Sequence, residues 1–134
     1  MHSKPVISLS NVQTILSACV AEAARQGWAV SISVVDDGGH PLGFVRLDGA
    51  APASSYISTE KARAAALGRR ETKLYEDMIN GGRTAFLSAG VSGALEGGVP
   101  ILLDNAVVGA VGVSGVKPDQ DATVAKAGVA SITR

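Results

Sequence analysis

The segment AVVGAVGVSG at 106–115 constrains this 134-residue chain more than any other. At the two-residue period of a strand, Val107, Gly109, Val111 and Val113 fall on one side, and Val108, Ala110, Gly112 and Ser114 on the other. Both faces carry small residues, so a helix or a ligand can come close to the backbone on either side. The rest of the chain is built to match. Aromatic residues are 4% of the total, against sixteen glycines, so the core must be Ala, Val, Leu and Ile around closely approaching backbones.

The other elements follow from periodicity. Val12, Ile15, Leu16, Cys19, Val20 and Ala23 form one helical stripe across residues 9–26, with Ser8 or Ser10 as cap and Gly27 as stop. WAVSISVVD places Trp28, Val30, Ile32 and Val34 on one strand face; DDGGHP turns the chain and LGFVRLD extends again, a hairpin over 28–48. STEKARAAAL predicts a helix over 58–67, Gly68 a break, and Thr72–Asn80 a second helix that Gly81-Gly82 ends. TAFL reads as a short strand. After a glycine-rich loop, PILL, the Asp104-Asn105 turn and the 106–115 strand make a second hairpin, and Pro118 with Asp119 and Asp121 opens a terminal helix. The predicted order is α-β-β-α-α-β-β-β-α in a single domain over 1–134. It is an α/β chain of the α+β kind, with a mainly antiparallel sheet of about five strands flanked by helices.

Charge and composition exclude several functions. Twelve basic residues balance twelve acidic ones, and the pI is near 6.7, so no single-sign field exists to recruit nucleic acid or an anionic membrane. A hydrophobic content of 46% argues against disorder, and no apolar run reaches the roughly 18 residues of a membrane span. Cys19 stands alone with His2 and His40, so no zinc spacing exists and no metal site is expected. The N-terminal residues contain no apolar block of a secretory signal, and the expected location is the cytoplasm.

Candidate chemistry lies in three places. Arg46 shares a strand face with Leu42, Phe44 and Asp48, where its guanidinium can fork onto a ligand carboxylate or pair with Asp48 or Asp36. Residues 60–83 hold Lys61, Arg63, Arg69, Arg70, Lys73 and Arg83, either a solvated helical face or a set of anion contacts. Lys61, if desolvated, can act as base or amine nucleophile. In GALEGGVP, Gly97 and Gly98 can present backbone N–H groups to an anion, with Glu96 beside them as a general base, or they can form a plain turn. His40 sits in a turn with Asp36 and Asp37 and reads as solvated. Tyr56 and Tyr75 are packing residues or contacts to a flat ligand.

Taken together, VVDDGGHPLGFVRLDGA, STEKARAAALGRRETKLYEDMINGGRTAF, LEGGVPILLDNAVVGAVGVSG and QDATVAKAG resemble the GlcG/HbpS family of haem-binding or haem-degrading-domain proteins over nearly the whole chain. The GRRETKLYEDMINGGRTAF block resembles the GlcG type, which accompanies glycolate and other small-carboxylate catabolism. The resemblance implies a profilin-like, three-layer α/β/α fold with a five-stranded antiparallel sheet, and a homo-oligomer. It also implies a small-molecule ligand, either haem or an organic carboxylate. The first helix has no His to stand axial to haem iron, and the aromatic content is small for a porphyrin pocket. A small carboxylate held by Arg46, Asp48, Lys61, Glu96, Gly97 and Gly98 fits the residues better, with an enzyme acting on such an acid through Glu96 and Lys61 as the alternative.

Overall fold

The computed structural model describes residues 1–133. The elements are α1 (Leu9–Gln26), β1 (Ser31–Asp36), β2 (Pro41–Arg46), α2 (Ala53–Gly68), α3 (Thr72–Asn80), a 3-10 helix η1 (Thr84–Ala89), β3 (Gly98–Leu103), β4 (Ala106–Ser114) and α4 (Pro118–Ala130). The strands form one antiparallel sheet in the order β2-β1-β4-β3. Among the described residues it has four strands, not the five expected. The missing one is TAFL, which winds into η1 and stacks Phe86 on Tyr75 of α3 with ring centroids 5.1 Å apart. A four-residue apolar run carries no period that separates strand from helix, so tertiary contact decides.

Local chemistry explains the boundaries. The Ser8 side chain accepts the Asn11 N–H, while the Asn11 side chain accepts the Ser8 N–H; Gly27, at φ 74°, closes α1. Asp104 and Asn105 take φ of 51° and 61°, the positive pair of a tight hairpin turn. Helix α2 starts five residues before the predicted Ser58. Its serine and threonine hydroxyls turn back onto helical carbonyls, Ser58 and Thr59 both donating to Ser55 O, instead of capping a start.

The sheet is covered on both faces. Ile32, Val34, Val111 and Val113 pack against Val12, Ile15 and Cys19 of α1 and Val124 of α4. On the opposite face Val35 and Ala110 meet Ala62, Ala65 and Ala66 of α2. The small residues of β4 serve this second contact: a Cβ at Gly112 would collide with the Ser58 carbonyl and the Ala62 amide. It is a helix, not a ligand, that makes the close approach there. Helix α2 therefore lies almost on the sheet, and its outer face is left to form the wall of a cavity.

Candidate functional site

The predicted site residues divide into three groups. Lys61 is 3% exposed, and its Nζ donates to Val113 O at 3.0 Å and to Asp121 Oδ2 at 3.1 Å. Asp121 Oδ1 accepts the Val116 N–H at 3.1 Å, so the pair ties α2 to β4 and the start of α4. Burial pushes the Asp121 carboxyl above the usual range, and the Lys61 charge only partly offsets it. Gly97 seals this pair: at φ 131°, its missing side chain would stand 2.8 Å from Lys61 Nζ. The Gly98 N–H donates to Thr72 Oγ1 at 2.8 Å, and the Thr72 hydroxyl donates to Leu95 O, so the turn before β3 is fastened to α3.

Glu96 lies half-buried in the same turn; the Lys73 ammonium pKa is raised chiefly by its bond to Asp77, with the Glu96 charge a lesser contribution. Arg46 and Asp48 stand apart, both exposed, at the end of β2. Arg46 pairs with Ser31 of β1, which pairs with Ser114 of β4, whereas Lys61 Nζ is bonded to Val113 O of β4 and Gly97 leads into β3 beyond it, so the Lys61–Gly97 group begins about two strand spacings, roughly 10 Å, from Arg46. The chain does not gather all six predicted residues around one point.

It gathers others instead. A cavity of about 300 Å³ opens between the outer face of α2, α3, η1 and residues 90–92. Leu67, Phe86 and Val91 supply apolar wall, and Glu60, Arg63 and Tyr75 supply polar groups. Glu60 and Arg63 are paired at 3.2 Å with side chains 37% and 49% exposed. Tyr75 is 5% exposed and is held between Phe86, stacked on its ring, and the Arg70 guanidinium 5.4 Å from the ring centroid. Its hydroxyl stands where a side chain at Gly68 would be and makes no hydrogen bond among the described residues. Glu60 and Arg63 are an i,i+3 pair visible in the sequence. The meeting of Tyr75 with Phe86 is not, because it depends on η1 being helical.

Nearby, His40 Nδ1 lies 3.0 Å from Asp36 Oδ1, which also accepts the His40 and Gly38 N–H groups at 2.9 Å. Partial burial pushes the Asp36 carboxyl up, but these bonds outweigh it and hold the group below the usual range. Cys19 is buried between α1 and α4, and burial pushes its thiol up to about 12, so it offers no thiolate near neutral pH. Among the described residues no three His, Cys, Asp or Glu converge on a metal position. Among the described residues, no helix is long and apolar enough to cross a membrane.

With this architecture, an α+β domain whose sheet is covered on both faces, residues 7–130 match the family described as "Haem degrading protein HbpS-like". The chain belongs to that family. It is 54% identical over 114 residues to "Protein GlcG" of Escherichia coli (strain K12), which covers 85% of each chain. Among solved structures it is similar to HbpS, with a TM-score of 0.90 at 28% identity over 100% of this chain and 95% of that one. It is also similar to the PduOC haem complex, with a TM-score of 0.87 at 25% identity over 96% of each chain.

Haem can be tested against the residues present. An apolar groove of about 520 Å³ runs along α1, lined by residues such as Leu16, Val20 and Val45. Its lining offers no imidazole, thiol, thioether or phenol to stand axial to iron. The cavity beside Tyr75 is at the small end of the range for organic ligands. Neither concavity fits haem with an axial ligand from its own walls.

Proposed function

We propose that this protein is a non-catalytic small-ligand-binding protein of the GlcG/HbpS type, and that its ligand is a small organic carboxylate drawn from glycolate-type catabolism. The cavity beside α2 carries this reading: about 300 Å³, largely apolar walls and a few polar groups are the ordinary anatomy of a small-molecule site. Haem is the second reading, supported by the similarity to the PduOC haem complex. The protein is proposed to act in the cytoplasm as a homo-oligomer.

A ligand that binds the folded state raises its stability by RT ln(1 + [L]/Kd), about 2.7 kcal/mol at a hundredfold excess over Kd. The expected result is a rise in melting temperature with short-chain carboxylates. If hemin alone raises it, with a Soret band to match, the ligand is haem. If neither does, the binding reading fails and an accessory or structural role takes its place.

A further inference from the structure

The Tyr75 hydroxyl is the group for which the fold has no use. The Tyr75 ring is almost wholly covered, but among the described residues no buried side-chain polar atom lacks a partner, so the hydroxyl, which no protein group bonds, keeps its contact with solvent through the cavity it lines. Phe86 is stacked on the ring and the Arg70 guanidinium stands 5.4 Å from its centroid, so the hydroxyl is held in place at that wall. It lies against Gly68 at the wall of the cavity, and any side chain larger than hydrogen at that position would displace it.

On the same cavity stands Arg63, whose tie to Glu60 is a solvent-exposed pair within one helical turn. Exposed pairs of this type are weak and are readily exchanged for a better-matched anion. Arginine is also the side chain best suited to a carboxylate, which it can grip through two parallel N–H donors.

We propose that the cavity is a recognition site for short 2-oxo and 2-hydroxy carboxylic acids. Arg63 leaves Glu60 to take the carboxylate, the Tyr75 hydroxyl bonds the oxygen on C2, and Leu67, Phe86 and Val91 enclose a tail of a few carbons. This deepens the proposed function and rests on it: that reading requires only that a carboxylate bind, whereas this one states where it binds and which oxygen is read.

The test is isothermal titration of the full chain with 2-oxobutanoate and with butanoate, which differ only in the C2 oxygen. The wild type is expected to prefer 2-oxobutanoate. Tyr75→Phe, which keeps the stacking on Phe86, is expected to weaken 2-oxobutanoate about tenfold and leave butanoate unchanged, the loss of one hydrogen bond. Arg63→Met, at an exposed position, is expected to weaken both at least about thirtyfold. If both variants bind 2-oxobutanoate as the wild type does, the site is elsewhere and this proposal is overturned while carboxylate binding stands. If Tyr75→Phe weakens the two acids equally, the C2 oxygen is not read by that hydroxyl, which also overturns it. If the wild type binds neither acid, this proposal and the carboxylate reading fall together.

Discussion

Individual residues in this protein are committed to local tasks that their type alone does not disclose. Asp36 reads as one of two acids in a turn; in the structure it organises the turn by accepting two backbone N–H groups and facing the His40 ring. Because its folded pKa lies below its ordinary value, its contribution is complete above that ordinary value and is lost as pH falls through the folded one. Asp36→Asn keeps the shape and removes the titration. Acid unfolding followed by circular dichroism is expected to show a shallower loss of stability with falling pH in the variant than in the wild type. An identical acid limb would mean that the carboxylate charge has no role in the turn.

At the scale of elements, the most informative contact is the tie between α2 and α4. Lys61 was legible as a residue of interest, but its partner Asp121 lies 60 positions away, and nothing in the spacing joins them. Lys61→Ala would leave a buried carboxylate uncompensated, at a cost of about 3–5 kcal/mol. That penalty is largest above the raised Asp121 pKa and shrinks as pH falls and the carboxyl takes up a proton. Replacing both, as Lys61→Met with Asp121→Leu, is expected to recover most of the loss in urea unfolding. A double variant as unstable as the single one would show that the pair is more than a compensated burial.

The same scale shows where the sequence was sufficient. Helices α1, α3 and α4 and both hairpin turns were readable because their signals are local: a stripe, a cap, a proline, a positive-φ pair. The start of α2 and the nature of η1 were not: the hydroxyls that read as a cap near Ser58 bond back to Ser55 O within the helix, and TAFL carries no period of its own, so the stacking of Phe86 on Tyr75 decides it. The cavity shares that fate. Its Glu60–Arg63 pair lies within one helical turn, but its depth comes from Phe86 reaching Tyr75 across a loop.

At the scale of the whole molecule, two helical layers cover the sheet, yet Leu9, Leu42, Phe44 and Tyr56 remain exposed, at 39% to 78%. Phe44 and Tyr56 line one concavity and Leu42 shares the strand face of Phe44; contiguous apolar surface of this kind suits a partner, and the proposed homo-oligomer would bury it. Sedimentation at micromolar concentration is expected to give a mass that is a multiple of 13.5 kDa; a lone 13.5 kDa species would reject self-association. In the proposed function, ligand binding belongs to the cavity between α2, α3 and η1, apart from the buried Lys61–Asp121 tie. The most direct test of this placement is an amide-resolved NMR titration with 2-oxobutanoate. Chemical-shift changes are expected to concentrate at Arg63, Leu67, Gly68, Tyr75 and Val91, with Gly97, Val116 and Arg46 unmoved. Changes centred on Gly97, Val116 or Arg46, with the cavity residues silent, would contradict it.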